Sequence, residues 1–304
     1  MAKLSPEQQA ARRAGLGGSD VAAAIGISRW KTPVELWQEK TGQVEPEDIS
    51  DREFVQWGQL LEDVIADEWA RRHGHKVRRS NITRVDAELD FLRANIDRDV
   101  VGLREGLEVK NTSAWMADEW GADGSDEVPL FYLTQGVHYM RVLDYDAWNF
   151  AVLMGGNELR SYRITRDRDT EESLLELLAR FWQCVETMTP PPATTVEDLV
   201  RLNPNATGTL QATEEIAGRV AEGVQLKTQI KTAEQRLEEI KLEVGAFLGD
   251  KSDLVDPLDD SITILTYRQR KGGTYLDQKS LEADGVDLDP YRRRRAGTRT
   301  FLFK

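Results

Sequence analysis

The sequence predicts an α/β fold, with a central mixed sheet flanked by helices and a C-terminal helix and β-hairpin region after it. Three observations predict it. An apolar stripe at helical spacing runs through 54–72. Short β-type runs fill 76–111 and 148–167, with a helical stretch near Tyr132–Val142 between them. Pro190, Pro191 and Pro192 then divide this mixed part from a long stretch of different texture.

Taken in order, Gly17-Gly18-Ser19-Asp20 precedes the apolar run VAAAIGI, so a helix starts there with Ser19 or Asp20 as its N-cap. Phe54, Trp57, Leu61, Ile65 and Trp69 lie on one face of the next helix. KVRRSNITRV, FLRANIDRDV and GLEVKN read as strands. WNFAVLMGG and LRSYRITRD read as two more, joined by a Gly-Gly turn. A helix near Glu171–Met188 repeats apolar residues at Leu174, Leu178, Phe181, Trp182 and Val185. The prolines place a domain boundary near 193, giving domains 1–193 and 194–304. In the second, Leu226, Ile230, Ala233, Leu237, Ile240, Val244 and Phe247 alternate spacings of four and three, a seam of about three heptads. Packing on its own domain's core is the preferred reading, with an oligomer or antiparallel helical hairpin as the alternative. SITILTYRQRKGG reads as a strand entering a Gly-Gly turn, and TRTFLFK as a final strand.

Composition narrows the function. Of 304 residues, 40% are hydrophobic and 31% charged, and no apolar run approaches the ~20 residues that span a bilayer. The start, MAKLSPEQQAARRAG, lacks the apolar region of a secretory signal, so a cytoplasmic protein without a membrane partner is expected. The single cysteine, Cys184, forms no internal disulfide and cannot by itself hold zinc or an iron–sulfur cluster. A net charge of −13 argues against broad phosphate binding, which needs Lys and Arg. All of it lies in 1–200, with 23 basic and 36 acidic residues, whereas 201–304 balances 17 against 17. Such acidity is solvated surface, or in part a carboxylate cluster that takes a divalent cation.

The chemistry-bearing feature is Asp97, followed after ten residues by Glu108-Val109-Lys110. In a strand Glu108 and Lys110 share a face while Val109 points to the core. With Asp97 alongside, two carboxylates and the Val109 carbonyl make a hard oxygen site suited to Mg²⁺, with Mn²⁺ as a substitute. Lys110 can orient or help deprotonate an attacking water and neutralise developing charge. Alone the spacing is weak, because many strands carry Glu and Lys on a solvated face. Three features add to it. Glu62 lies beside the apolar stripe of its helix and can overhang a sheet edge. Gln135 sits on the helix after the Glu-x-Lys strand and can bond a phosphate or a water. Arg12, Arg13 and Ser19 flank a glycine turn at a helix start, a natural phosphate position. An exposed helical Glu, a surface Gln and plain capping are the bland readings of the three.

The segment GLGGSDVAAAIGISRWKTPVELWQEKTG resembles the opening of the YqaJ-like viral recombinase family, the relatives of phage lambda exonuclease. WGQLLEDVIADEWARRHG, ANIDRDVVGLREGLEVKN and VPLFYLTQGVHYMRVLDYDAWNFAVLMGG resemble its later motifs in the same order, over about residues 12–165. The resemblance implies a PD-(D/E)xK restriction-endonuclease-like core and a nuclease that degrades duplex DNA from an end, 5′-to-3′, with two Mg²⁺-type ions. It implies Glu62, Asp97, Glu108 and Lys110 as catalytic residues, Gln135 as a helper, and Arg12 and Ser19 as 5′-phosphate contacts. Asp90 stands near a second acidic position of the family. Where the family often reads Asp-Gly after the central Asp, this chain has Asp97-Arg98-Asp99, which makes Asp99 a rival ligand.

From Arg268 to Lys304 there are ten basic and five acidic residues, among them Arg292–Arg295, with Tyr267, Tyr275 and Tyr291 interleaved. These suit a DNA track or contact with a recombination partner, and equally a solvated rim. The sequence thus leads to a metal-dependent exonuclease on linear duplex DNA that leaves single strands for phage recombination. A homo-oligomer and a single-strand annealing protein are its expected partners. The alternatives are a structure-specific endonuclease of the same fold and a catalytically silent DNA-binding scaffold.

Overall fold

In the structure, a computed structural model describing residues 12–80, 82–205, 207–268, 271–274 and 276–292, the chain forms two units that part between Pro204 and Asn205. The first unit opens with helices α1 (Gly18–Ala24), α2 (Pro33–Lys40) and α3 (Glu53–His73). Strands β1 (Val77–Arg79), β2 (Arg84–Val85), β3 (Arg93–Ala94), β4 (Arg98–Val100) and β5 (Glu105–Thr112) follow. A 3-10 turn, Ala114–Glu119, leads to α4 (Leu130–Leu143), β6 (Ala147–Met154), β7 (Glu158–Thr165), α5 (Arg168–Glu186) and α6 (Val196–Leu202).

The main sheet has the order β1-β4-β5-β6-β7. β5 and β6 are parallel and joined through α4, and the other pairings are antiparallel, so the sheet is mixed as expected. The β6–β7 turn uses Gly155 and Gly156 at φ 58° and 81°, a region open to glycine. Alternation along the strands gives the sheet two covered faces. Trp148, Phe150, Val152 and Met154 of β6 enter a large core with α1, α2, α4 and α5. Leu107 and Ala151 enter a smaller cluster with Ile65, Ala66, Trp69 and Ala70 of α3.

Two expectations are corrected here. α3 meets the sheet only from Leu61 onward, so Phe54 and Trp57 are 64% and 51% exposed instead of facing the core. The compact unit also runs past 193 to Pro204. Asp198 of α6 explains why. It is fully buried and accepts hydrogen bonds from Thr32 Oγ1 (2.6 Å), Thr194 N (2.9 Å) and Thr195 N (3.1 Å). Arg201 pairs with Glu35 at 2.5 Å. α6 is thereby tied to the start of α2, across the prolines.

The second unit contains α7 (Glu214–Leu248), an antiparallel pair β8 (Asp253–Val255) and β9 (Thr263–Thr266), and α8 (Gln278–Ala283). β9 pairs with the upstream β8, a partner that the alternation did not reveal. The heptad seam falls within α7, but Leu226, Ile230, Leu237, Ile240 and Phe247 are exposed, and of α7 only Leu248 is buried among the described residues. The expected packing on a core of its own unit is therefore not seen there. Arg268 pairs with Asp253, and Tyr267 and Tyr291 are exposed. Tyr275, Arg293–Arg295 and TRTFLFK lie outside the described residues. No helix of the described residues is long and apolar enough to cross a membrane.

Gly106 of β5 has the least room for a side chain among the described glycines. A Cβ there would lie 2.1 Å from the ring of Trp148, its fully buried partner on β6. Gly106→Ala is expected to destabilise the protein by about 1–3 kcal/mol, the usual cost of overpacking a fixed core. A lowered urea midpoint at unchanged m-value would show it, and an unchanged midpoint would refute it.

Candidate active site

The site forms where β4 stops covering β5. The two pair only at Arg98–Leu107 and Asp99–Gly106. Beyond Leu107 the edge of β5 has no strand beside it, and the main-chain groups of Val109 point to that edge. Asp97 fills the gap: its Oδ2 accepts from Val109 N at 2.8 Å. The Val109 carbonyl shares this edge, because both main-chain polar groups of a strand residue lie on one side.

Glu108 and Lys110 share the face covered by α4, as the alternation requires. Glu108 is 5% exposed. Its Oε1 accepts from Lys110 Nζ at 2.7 Å and from Gln135 Nε2 of α4 at 2.8 Å, while its buried Oε2 has no hydrogen-bond partner. Lys110 Nζ also lies 4.9 Å from the centroid of the Tyr132 ring. Burial works against the ammonium, but Glu108, Tyr132 and Asp97 outweigh it and raise the Lys110 pKa above its ordinary value. Asp97 moves the other way from a carboxylate's habit. Burial and then the Glu108 charge push its pKa up from 3.8 to about 7, against Lys110 and the Val109 N–H, and Glu62 adds to the rise.

The structure therefore brings Asp97, Glu108, Val109, Lys110 and Gln135 together. It does not bring Asp99 with them. Asp99 accepts from Arg84 Nη2 (2.8 Å) and Tyr145 Oη (2.6 Å) on the far side of β4 from Leu107, and these partners hold its pKa down despite burial. Asp97, not Asp99, is the carboxylate beside Glu108. Asp90 is exposed in the turn after β2. Glu62 does overhang the sheet from α3, but as a partner of arginines. Its Oε1 lies 2.6 Å from Arg98 Nη1 and 3.4 Å from Arg79 Nη2. Among the described residues no group of three or more His, Cys, Asp or Glu stands together as a metal set, and Glu62 is engaged by Arg98 and Arg79.

Ser19 is exposed in the first turn of α1, and Arg12 is exposed six residues before that helix begins. The N-cap is Gly17 and not Ser19 or Asp20, because Asp20 reaches back and its Oδ2 accepts from Gly17 N at 3.0 Å. Gly18 admits no side chain, since a Cβ would lie 2.4 Å from the Tyr139 ring. Tyr139 Oη in turn accepts from Gln135 Nε2 at 3.1 Å, so one chain of contacts links the Gly17–Ser19 turn to Glu108. The sequence reading missed Tyr139 and also Lys40. Lys40 is nearly buried and donates to Arg12 O (2.6 Å), Gly15 O (2.7 Å) and Asp20 Oδ2 (2.7 Å), pinning the same turn.

The donor set fits one divalent cation. It offers two carboxylates and a main-chain carbonyl, one buried carboxylate oxygen has no hydrogen bond, and Asp97 resists ionising without a further positive charge. The sign of the pH dependence follows. Because the folded-state pKa of Asp97 is raised, its stabilising contribution is full below 3.8 and is lost as pH rises through about 7. With EDTA present, Asp97→Asn is expected to be more stable than the parent at pH 8 by on the order of 2–4 kcal/mol, and to lose that advantage toward pH 4. Thermal unfolding at several pH values checks this, and a difference that does not grow with pH would contradict it.

With the geometry described, the known proteins can be compared. Residues 7–146 match the model of the YqaJ-like viral recombinase domain. The uncharacterized protein YqaJ of Bacillus subtilis (strain 168) is 42% identical over 173 residues, which are 56% of this chain and 53% of that protein. The chain thus spans about half the length of this curated relative. Among solved structures, an alkaline exonuclease from Laribacter hongkongensis superposes with TM-score 0.50 at 16% identity, over 66% of this chain and 98% of that one. The same exonuclease in complex with dAMP superposes with TM-score 0.50 at 17% identity and the same coverage. These structures share the fold: a mixed sheet with flanking helices. Over residues 7–146 the chain matches the YqaJ-like viral recombinase family, whose ordered motifs its sequence resembles.

Proposed function

We propose that this chain is a divalent-cation-dependent deoxyribonuclease that digests linear duplex DNA from its ends, in the 5′-to-3′ direction. The observation that carries the reading is the junction of Asp97, Glu108 and Lys110 at the open end of β5, with Glu108 Oε2 buried and bare. The fold shared with an alkaline exonuclease supports it.

Asp97, Glu108 and the Val109 carbonyl would hold Mg²⁺, or Mn²⁺ in its place. The cation supplies Lewis-acid chemistry to the phosphodiester. The protein's own groups do the rest. Gln135 fixes Glu108 through Oε1 and leaves the buried Oε2 without a hydrogen-bond partner, available to a cation. Lys110 keeps its proton at Nζ, so it serves as a donor to the attacking water and as a positive charge beside the scissile phosphate. Tyr132 covers the ammonium and limits access of bulk water. Arg12 and Ser19, at the turn joined to Glu108 through Tyr139 and Gln135, receive the 5′-phosphate. The single-stranded product passes to recombination through an annealing protein, and the active form is a homo-oligomer.

The test uses linear and covalently closed duplex DNA, Mg²⁺ or EDTA, and a Lys110→Ala variant. Loss of linear DNA alone is expected, abolished by EDTA and slowed about 10²–10³-fold in Lys110→Ala, the cost of removing one transition-state charge partner. Separate 5′- and 3′-end labels report direction. Cutting of closed circles would replace this reading with an endonuclease, and an inert protein would leave a DNA-binding scaffold.

A further inference from the structure

Arg98 has no role in the reading just given, yet it is among the most constrained cations of the chain. It is 4% exposed. Its Nη1 donates to Glu62 Oε1 at 2.6 Å and to the Asp97 carbonyl at 2.8 Å, and its Nη2 donates to Asp63. Arg98 pairs with Leu107 across the ladder, so it faces α3, whereas Asp97, one residue earlier, faces Glu108. The strand thus separates two neighbouring charge groups. On the α3 side, Glu62 and Asp63 meet Arg98 and Arg79, two negative charges against two positive. On the other side, Lys110 is the cation that Asp97 and Glu108 meet among the described residues, which leaves one negative charge and the bare Glu108 Oε2.

We propose that the site takes one divalent cation, at Asp97 and Glu108, and that the Arg98 guanidinium occupies Glu62 in place of a second. The inference rests on the reading that Asp97 and Glu108 hold a cation. It departs from the two ions that the family resemblance implies. A second cation reaching Glu62 would have to displace a buried, three-acceptor guanidinium and strand its charge, which is costly in a poorly hydrated place. A planar guanidinium with five donors does not lose its charge to make room. Arg98 therefore acts as a positioning residue: it holds Glu62 and Asp63 on α3 and holds the Asp97 main chain through its carbonyl.

Mn²⁺ binding by titration calorimetry, with free Mn²⁺ followed by electron paramagnetic resonance, tests this without DNA. The parent chain is expected to bind one Mn²⁺. Asp97→Asn is expected to weaken it more than about a hundredfold, as loss of a direct ligand does, and Glu62→Gln less than about tenfold, the effect of a nearby charge in a screened setting. Arg98→Met is expected to bind a second Mn²⁺. Two ions on the parent chain, or a Glu62→Gln loss as large as that of Asp97→Asn, would overturn the inference and leave the nuclease reading standing. One ion on a folded Arg98→Met would overturn the part given to Arg98. If Arg98→Met does not fold, Glu62→Gln decides. No Mn²⁺ on the parent would remove the cation reading, and this inference with it.

Discussion

Two carboxylates share the dry end of one strand, and the rest of the site answers that constraint. Burial of Asp97, and then repulsion from the Glu108 charge, push its pKa up to about 7. Lys110 offsets one charge, Gln135 occupies one oxygen, and the Val109 N–H another. Each donor comes from an element whose position is fixed for other reasons: β5 by its parallel pairing with β6, and α4 by the large core. The site is held together by packing in spite of its charges, so the fold stores an electrostatic cost that a cation can release.

On the proposed function, that arrangement would let an acidic chain of net charge −13 approach a polyanion. Many arginines of the first unit are committed inward or to carboxylates: Arg84 to Asp99, Arg98 to Glu62, Arg141 to Asp86, Arg166 to Glu171. They order the framework and are not spread on the surface for phosphate. Under that proposal attraction to DNA would depend on local features, and a cation held at the carboxylates would change the sign of the potential where the backbone would enter.

The sequence made legible what depends on periodicity and order. The Glu108–Lys110 pair, the face of α4 bearing Gln135 and the mixed sheet follow from spacing and from four ordered motifs. What was hidden depends on tertiary neighbours. The face onto which Arg98 points is set by its pairing with Leu107, and its acceptors lie about 35 residues away on α3. The exposure of Phe54 and Trp57 depends on where α3 first meets the sheet, which an apolar stripe does not encode. The choice between Asp97 and Asp99 was open in the sequence because alternation places both on one side of β4. It is decided by Arg84 and Tyr145, which claim Asp99. The heptad spacing does encode the helix α7, but not what covers its seam, whose Leu226, Ile230, Leu237 and Ile240 are exposed.

The Asp198 contact bears on how the molecule can be divided. A run of three prolines invites a cut near 193, yet the segment beyond it returns to cap Thr32 and to pair Arg201 with Glu35. A fragment stopped at the prolines would uncover the start of α2, the helix whose Lys40 pins the Gly17–Ser19 turn. Shortening the chain there would loosen the proposed phosphate pocket from a distance, so a fragment meant to retain it should extend through Pro204.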